Sequence, residues 1–317
     1  MANRSFSNGF QFANSKSLNE QISDIVASRA TKADKAKALF EIGLMQKEVS
    51  DILSVKVSRP ATHKRFAFTF GVEIECITNC VAVENMLGRS LIHIENYNHD
   101  DRRDGVFKFV YDSSVRDNDG RRRYADGLSA NEIGAAECVS PVLESTNGMK
   151  SLKRVIEAIN ENGGYVNRSC GLHVHIGAES LTGEQYVNVF KNYQRLESVI
   201  DSFMAPSRRG DCTWAKSLRR SNFDGCHTQH DVDSELSYDR YYKVNAESWA
   251  RHHTIEFRQH QGTINFKKIQ MWVRFLGKLV QYSLNNVLEN DVQSVDEIPF
   301  LNNTEKSYFK ARQQALA

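Results

Sequence analysis

Three segments of the chain alternate apolar residues with charged ones, and this alternation constrains the fold more than any other feature. The segments are FTFGVEIECI at residues 68–77, CGLHVHIGAESL at 170–181 and HTIEFRQHQGT at 253–263. Successive side chains of a β-strand point to opposite faces, so each segment has one apolar face and one polar face. The polar faces carry Glu73 and Glu75, His173 and His175, and Thr254, Glu256, Arg258 and His260.

Antiparallel pairing of these strands predicts that their polar side chains share one surface. Hydrocarbon does not accept so many charged groups, whereas divalent cations neutralise them. We therefore expect a large sheet with one face packed on the core and the other facing a cleft.

A fourth segment adds two acidic residues. FKFVYDSSVR at residues 107–116 and AAECVSPVL at 135–143 are joined by RDNDGRRRYADG, whose turn-forming residues predict the loop of a long hairpin. The segment supplies Asp112 and Glu137, and Glu137 stands between Ala136 and Cys138 in an apolar strand. Metal coordination and pairing with a nearby arginine both explain such a carboxylate, and the sequence leaves both open.

The residue types in this set indicate which ligands the site binds. Carboxylates dominate, which favours Mg²⁺ or Mn²⁺ over zinc, and those ions usually accompany phosphates. The chain has no Gly-rich loop of the G-x-x-x-x-G-K type, so a nucleotide would be held by metals and arginines. The available arginines are Arg208, Arg209, Arg240 and Arg258.

Two long amphipathic segments predict helices that back the sheet. TGEQYVNVFKNYQRLESVIDSF opens with a capping box at Thr182 and Gln185, and its apolar residues recur at helical spacing. FKKIQMWVRFLGKLVQYSLNNVL, at residues 266–288, has the same periodicity. These elements predict an α+β fold with a mostly antiparallel sheet, helices on one face and a ligand cleft on the other.

Composition sets broad limits. The chain has 317 residues, 40% of them hydrophobic, which is enough for a sizeable core. No stretch approaches the roughly 18 apolar residues of a membrane span or resembles a signal peptide, so we expect a cytoplasmic protein.

The six cysteines form no C-x-x-C pair and are expected to be free thiols. The segment CHTQHDVD brings Cys226, His227, His230 and Asp231 together. Zinc binding by this group, joined by Cys212, is one interpretation, and a plain polar loop is the other.

The N-terminal segment, residues 1–62, is predicted to be a small all-α unit that precedes a catalytic domain at 63–317. Residues 1–65 hold 11 Lys and Arg against 6 Asp and Glu. Residues 46–65 resemble a helix-turn-helix, although Ser54 replaces the usual turn glycine and Pro60 a buried Val or Ile. DNA contact through Lys56, Arg59, His63, Lys64 and Arg65 is one hypothesis. A helical hairpin or oligomerisation arm is the other.

Eight short motifs resemble, in order, those of the amidoligase family, carboxylate–amine ligases similar to glutamine synthetase and glutamate–cysteine ligase. They lie between residues 66 and about 280: FGVEIE, DSSV, ECVSPVL, CGLHVHIG, APSRRG, RYYKVN, TIEFRQHQGT and IQMWVRF. NRSCGLHVHIGAESL also resembles the N-x-S-G-x-H-x-H-x-S-L signature of glutamine synthetase, with Cys170 inserted. The resemblance implies a glutamine-synthetase-like catalytic sheet.

The resemblance also implies roles for individual residues. The implied metal ligands are Glu73, Glu75, Glu137, His173 and Glu256. The implied catalytic residues are Glu73, Glu75, Glu256 and Arg258, with Arg258 stabilising the phosphoryl group during transfer. His175 is implied to lie near the ATP phosphates, and the implied nucleotide or substrate contacts are Asn167, Arg208, Arg240 and Asn245.

The reaction that the resemblance implies uses ATP and Mg²⁺ or Mn²⁺. A carboxylate attacks the γ-phosphate to give an acyl phosphate, and an amine converts it to an amide. The amine can be ammonia, an amino acid, a polyamine or a side chain of a peptide or protein. The sequence identifies neither the acid, nor the amine, nor the base that deprotonates the amine.

Two other functions fit parts of the sequence. HVHIGAE satisfies the H-x-H-x-x-x-E core of cupins, which are mononuclear metal enzymes, but Asn167 and Tyr186 stand where cupins have glycine. The second alternative is a non-enzymatic DNA-binding regulator whose larger domain senses a ligand. Three observations distinguish these functions. Turnover of ATP indicates the ligase, bound iron indicates the cupin, and salt-dependent duplex binding without turnover indicates the regulator.

Overall fold

The computed structural model describes residues 16–57, 68–95, 105–121 and 133–317, and within them it has an α+β fold. The strands are β1 (Phe70–Thr78), β2 (Ile92–Ile94), β3 (Phe107–Val110), β4 (Gly134–Val139), β5 (Gly171–Gly177), β6 (Val244–Asn245) and β7 (Thr254–Gln261). The helices are α1 (Leu18–Ala27), α2 (Lys32–Glu41), α3 (Gln46–Leu53), α4 (Cys80–Leu87), α5 (Ser145–Glu161), α6 (Gly183–Ser202), α7 (Gln229–Glu235), α8 (Ser248–His252), α9 (Phe266–Ser283) and α10 (Asn303–Leu316). Short 3-10 helices occupy Pro206–Arg208 and Val295–Glu297.

The seven strands form one mixed sheet in the order β2-β3-β4-β1-β5-β7-β6. Every neighbouring pair is antiparallel except β2 and β3, which are parallel. β1 lies at the centre, with β4 on one side and β5 on the other. The prediction of a mostly antiparallel sheet is confirmed.

The apolar face of the sheet forms the main core together with the helices. Val72 and Ile74 of β1, Val174 of β5 and Phe257 of β7 are almost completely buried in one cluster with residues of α5, α6 and α9. Burying each such side chain contributes about 1.5–3 kcal/mol before entropy is subtracted. The core therefore covers one face of the sheet and leaves the other face for the site.

α6 follows its sequence prediction closely. The Thr182 hydroxyl accepts a hydrogen bond from the Gln185 backbone N–H, and the Gln185 side chain accepts one from the Thr182 N–H. The predicted stripe is buried, including Tyr186, Phe190 and Tyr193. Among the described residues, none of the helices is long and apolar enough to cross a bilayer.

The strict alternation predicted for β7 is wrong after Arg258. A β-bulge shifts the register between β5 and β7, so that Leu172 pairs with His260 whereas Val174 pairs with Phe257. His260 is consequently buried on the helix side, with its ring 5.8 Å from that of Trp272. Burial lowers the pKa of His260 to about 3, so it is a neutral core residue and not part of the polar face.

The helices α1–α3 form a small unit with its own apolar cluster, built on Leu39, Phe40, Leu44 and Val49. The second helix predicted for the helix-turn-helix, with Arg59, Pro60, His63, Lys64 and Arg65, lies outside the described residues. Residues 16–57 carry seven Lys and Arg against six Asp and Glu. Most of the excess of basic residues in 1–65 therefore also lies outside the described residues.

This unit is attached to α5 by polar contacts. Arg154 donates hydrogen bonds to both carboxylate oxygens of Glu48, at 3.0 and 2.8 Å, and Glu48 is buried. The Ser151 hydroxyl donates to the Gly43 carbonyl at 2.6 Å. A bidentate pair of this kind fixes orientation as well as position. The N-terminal helices are therefore held against the helix layer that backs the sheet.

Replacing Ser54 by glycine is expected to stabilise the α1–α3 unit. Ser54 ends α3 in the left-handed conformation, with φ 49° and ψ 43°, which glycine adopts without the steric penalty of a Cβ. We expect the free energy of unfolding, measured by chemical denaturation, to increase by about 0.5–1 kcal/mol. Ser28→Gly is the control: Ser28 ends α1 at φ −62°, where glycine brings no such relief, and equal stabilisation there would contradict the explanation.

Candidate active site

Strand pairing places the predicted site residues directly opposite one another on the polar face of the sheet. Glu75 of β1 pairs with Glu137 of β4, and Glu73 of β1 pairs with His173 of β5. Glu256 of β7 pairs with His175 on one side and with Asn245 of β6 on the other. The side chains thus form a continuous band across five neighbouring strands.

The two histidines link the carboxylates of β1 and β7. His173 Nδ1 lies 3.3 Å from Glu73 Oε2 and 3.6 Å from Glu256 Oε1, and its Nε2 lies 3.8 Å from Glu75 Oε1. His175 Nε2 lies 3.3 Å from Glu73 Oε1, and its Nδ1 lies 2.9 Å from the Thr254 hydroxyl. Glu73 is therefore contacted by both imidazoles.

Among the described residues, three overlapping groups of side chains have donor atoms close enough to share a metal ion. The groups are Glu73, Glu137 and His173; Glu73, His175 and Glu256; and Glu75, Asp112 and Glu137. Within each group the donor atoms lie within 4.8 Å of one another. The donors are mainly carboxylate oxygens, which suit Mg²⁺ or Mn²⁺, and adjacent groups share Glu73 or Glu137.

At the acidic end of the band, formed by Glu75, Glu137 and Asp112, the pKa values indicate negative charge that the cations of the described residues offset only in part. Burial raises the pKa of Glu137 well above its usual value, and the neighbouring Glu73, Glu75 and Asp112 raise it further. Burial also raises the pKa of Glu75, with Asp112 adding to the effect against the opposing influence of His173. A divalent cation supplies the missing positive charge, so these residues fit a metal site.

The opposite shift is seen where imidazoles or the Arg258 guanidinium lie close to the carboxylates. Burial raises the pKa of Glu73, but His175 and His173 outweigh it, and the pKa lies well below its usual value. Burial is likewise outweighed at Glu256, whose pKa is lowered mainly by Arg258 and then by His175. Glu73 and Glu256 are therefore held as carboxylates, the form that binds metals.

Arg258 forms the positive end of the band. Its guanidinium donates a short hydrogen bond to Glu256 Oε1, while Asn245 Nδ2 donates to Glu256 Oε2 at 2.6 Å. Both Glu256 and Arg258 are buried. The Arg258 Nε has no hydrogen-bond partner among the described residues, which leaves this group able to donate to a bound anion.

Arg208 lies beside the acidic end. It is buried and donates to the Cys170 carbonyl at 3.1 Å, and the Gly171 N–H donates to Glu75 Oε2 at 2.5 Å. A Cβ at Gly171 would meet His173 Nε2 at 3.1 Å, Arg208 at 3.3 Å and Glu75 at 3.4 Å. Only glycine lets these three side chains converge without displacement.

A cavity of about 290 Å³ adjoins the band near the start of β1. Glu73, Glu137 and His175 line it on the side of the band. Its remaining walls include the apolar residues Val106, Val110, Val139 and Val142 and the cations Lys108 and Arg251. This cavity therefore combines an apolar pocket with direct access to the carboxylates and imidazoles.

A buried polar network supports both site arginines from the helix side. Lys243 Nζ donates to Glu197 Oε1 at 2.9 Å and to Asp201 Oδ1 at 2.6 Å, both on α6. Gln259 Nε2 donates to the Arg208 carbonyl at 3.0 Å, and the Arg258 N–H donates to the Lys243 carbonyl at 2.9 Å. The network thus connects α6 to the backbone of Arg208 and Arg258.

The structure separates some residues that the sequence grouped with the site. Arg240 is exposed and lies over the ring of Tyr241, outside the band. Asn167 organises a turn, accepting from the Ser169 N–H at 2.9 Å and donating to the Arg116 carbonyl. Among the described residues, the groups that could hold a metal include none of Cys212, Cys226, His227 and His230, so the zinc hypothesis gains no support.

Two residues that the structure brings to the site have no role that the sequence predicts. Asp112 follows directly after β3 and joins Glu75 and Glu137, and its position after an apolar strand was the available signal. Tyr241 lies with its ring 5.7 Å from the Arg258 guanidinium carbon. It comes from an irregular loop, where sequence periodicity gives no signal.

Replacing Glu137 by glutamine separates metal binding from folding stability. We expect Mn²⁺ affinity, measured by calorimetric titration, to fall about 10- to 100-fold because a ligand charge is lost. The metal-free protein is expected to become more stable to heat, because the repulsion from Glu73, Glu75 and Asp112 is relieved. A loss of stability without metal, with unchanged Mn²⁺ affinity, would contradict the metal-site assignment.

Known proteins identify a family to which the chain is similar. A family model described as "Putative amidoligase enzyme" matches residues 55–280, which include all seven strands and every residue of the band. No curated protein matches the chain. The family match covers well over half of the chain and confirms the resemblance found in the sequence motifs. The chain belongs to the amidoligase family.

Proposed function

We propose that the protein is an ATP-dependent carboxylate–amine ligase with a catalytic sheet of glutamine-synthetase type. It forms an amide through an acyl phosphate and releases ADP and phosphate. The observation that carries the proposal is the band itself: Glu73 and Glu75, Glu137, His173 and Glu256 come from four strands and share one face with Arg258. The family membership supports amide-bond formation as the type of reaction.

The cavity beside His175 is proposed to hold the nucleotide. Its valine side chains provide an apolar surface for the adenine base. Arg251 and Lys108, whose ammonium lies 3.0 Å from Glu95, are the basic residues of its walls. Glu73 and His175 belong both to the cavity lining and to one of the metal-ligand groups. The triphosphate is therefore proposed to extend from the cavity toward the band.

Phosphoryl transfer asks for positioning and charge stabilisation more than for covalent participation by the protein. An oxygen of the acid substrate attacks the γ-phosphorus, the bond to the bridging β,γ oxygen breaks, and ADP leaves. The amine nitrogen then attacks the acyl carbon, phosphate leaves with the bonding electrons, and the amine loses a proton to a base. A carboxylate of the band is the proposed class of base.

The protein's own residues are proposed to divide this work. Glu73, Glu75, Glu137, His173 and Glu256 would hold Mg²⁺ or Mn²⁺, which when bound offsets the repulsion between carboxylate and triphosphate. Arg258 donates hydrogen bonds to the phosphoryl group as it transfers, and Asn245 and Glu256 fix its guanidinium. Arg208, at the acidic end, is proposed to contact the acid substrate.

The cupin alternative receives no support from the fold. Its pattern requires Glu179 as a ligand together with His173 and His175, yet Glu179 is exposed in the turn after β5. Among the described residues, no potential metal group includes Glu179. Within the part of the chain that the structure describes, the sheet ends at β2 and β6 and does not close into a barrel.

The division into residues 1–62 and 63–317 is proposed to reflect a separate N-terminal unit. The apolar cluster of α1–α3 supports it, as does the start of the family match at residue 55. DNA contact by this unit stays a prediction, because most of the residues named for it lie outside the described ranges. Location in the cytoplasm also stays a prediction.

Hydroxylamine provides the experiment, because it replaces the unknown amine and converts an acyl phosphate to a hydroxamate. The protein is incubated with ATP, MgCl₂, hydroxylamine and a panel of carboxylic acids and acidic peptides. We expect ADP, phosphate and a hydroxamate in equal amounts with at least one acid, and no product after chelation with EDTA. Hydroxamate formed without ATP, or no ADP with any acid, would overturn the proposal.

A further inference from the structure

An aromatic pair continues the site outward from Arg258. The ring of Tyr241 lies 5.7 Å from the Arg258 guanidinium carbon, and the ring of Trp214 lies 5.4 Å from that of Tyr241 in an edge-to-face contact. Trp214 is 51% exposed. A large aromatic side chain that is half exposed and packed on a site residue is typical of a surface that binds a ligand.

The positive charges near this pair are not equally neutralised. Arg258 is paired with Glu256, and Arg208 lies beside Glu75. Arg240 lies with its guanidinium carbon 5.8 Å from the centre of the Tyr241 ring. In the described part of the chain, no carboxylate lies within salt-bridge distance of Arg240. Within the described residues, the outer end of the site therefore presents a cation that forms no salt bridge, with the Glu247 carboxylate close enough to interact with its charge.

The surface is also held in place before any ligand arrives. The Lys216 N–H donates to the Tyr241 carbonyl at 2.7 Å, and the Lys243 N–H donates to the Lys216 carbonyl at 2.9 Å. These bonds join the loop that carries Trp214 to the segment just before β6 that carries Tyr241. A surface that is ordered in advance loses little conformational entropy on binding.

We propose that the acid substrate is an acidic peptide segment, which lies over Tyr241 and Trp214 and pairs a second carboxylate with Arg240. This inference rests on the proposed ligase function, because the reacting carboxylate is placed beside Arg258. The peptide body packs on the aromatic pair, and Arg240 provides charge complementarity.

The distances distinguish a peptide from a free amino acid. One residue of extended chain spans at most about 3.5 Å, so a free amino acid held at Arg258 ends near Tyr241. Reaching Trp214 requires two successive contacts, of 5.7 and 5.4 Å. About three residues of extended chain cover that path. A tripeptide is therefore the shortest probe that engages the whole surface.

Tryptophan fluorescence tests binding independently of turnover. The tripeptide Glu-Glu-Glu and free glutamate are titrated into the protein, with Trp214→Phe identifying the signal of Trp214. We expect a saturable change with the tripeptide only. Calorimetric titration should show about thirtyfold weaker tripeptide binding in Trp214→Ala and about fivefold weaker binding in Arg240→Ala. Arg89→Ala, an exposed arginine of the loop after α4, is the control and should bind normally.

The outcomes separate the two proposals. Glutamate that binds as tightly as the tripeptide, with both unaffected by Trp214→Ala and Arg240→Ala, overturns the peptide inference and leaves the ligase proposal intact. Tripeptide binding that depends on both residues, but with no ADP or hydroxamate formed, supports the surface and removes the ligase function. Circular dichroism of the variants confirms that they are folded, as expected for side chains exposed at the surface.

Discussion

Replacing Glu73 by glutamine is expected to lower the rate of ATP-dependent amide formation by about a thousandfold, which corresponds to roughly 4 kcal/mol of transition-state stabilisation. Glu73 belongs to two of the three potential metal groups and is contacted by both His173 and His175. Glutamine keeps the shape of the side chain but removes the charge that holds a cation. The effect therefore falls on catalysis and metal binding instead of on the fold.

The measurement is the hydroxamate rate at saturating ATP and Mg²⁺, with circular dichroism to confirm folding. Glu179→Gln is the matched control, because Glu179 is an exposed glutamate just beyond β5 and belongs to none of the metal groups in the described chain. That variant should keep the parent rate. If Glu73→Gln also kept the parent rate, Glu73 would have no place in the active site.

Replacing Lys243 by methionine is expected to reduce the free energy of unfolding by about 3–5 kcal/mol. Lys243 and Glu197 are completely buried, and Lys243 donates to both Glu197 and Asp201. Removing the ammonium group leaves these carboxylates without their buried counter-ion, a penalty larger than the loss of packing. Arg219, nearly half exposed at 48% and within 3.8 Å of Glu197, compensates only in part.

Chemical denaturation of the metal-free protein measures this effect. Lys191→Met is the control, since Lys191 lies on α6, the helix that carries Glu197 and Asp201, and pairs at 3.5 Å with the exposed Asp224. We expect that variant to change the free energy of unfolding by no more than about 0.5 kcal/mol. Adding Glu197→Gln and Asp201→Asn to Lys243→Met should recover much of the lost stability, since no buried charge is then unpaired. If Lys243→Met lost no more stability than Lys191→Met, the explanation would be wrong, because the carboxylates of Glu197 and Asp201 would then be stabilised by water.

The sequence predicted the polar face of the sheet because strand periodicity is strict where one face is buried. Val72 and Ile74 are fixed in the core, which fixes Glu73 and Glu75 on the opposite face. The same reasoning placed His173, His175, Glu256 and Arg258 correctly. Periodicity does not determine which strands are neighbours, so the pairing of Glu75 with Glu137 emerged only from the structure.

The prediction was wrong where the backbone departs from regular geometry. The bulge between β5 and β7 turned His260 toward α9, and no residue in the segment signals it clearly. Arg240, Tyr241 and Trp214 lie on irregular loops, where a side chain's direction depends on contacts distant in sequence. In the N-terminal unit, by contrast, the turn expected at Ser54 is present, because Ser54 adopts the left-handed conformation that such turns require.

We propose that separate strands bring their carboxylates and imidazoles together to hold the divalent ions that ATP requires. The position of bound Mn²⁺ tests this proposal directly. Crystals of the protein grown with MnCl₂ and a non-hydrolysable ATP analogue would locate manganese by its anomalous scattering. We expect manganese peaks within about 2.2 Å of donor atoms of Glu73, Glu75, Glu137, His173 or Glu256, with the triphosphate beside them. Manganese bound elsewhere, or an analogue bound away from this face of the sheet, would contradict it.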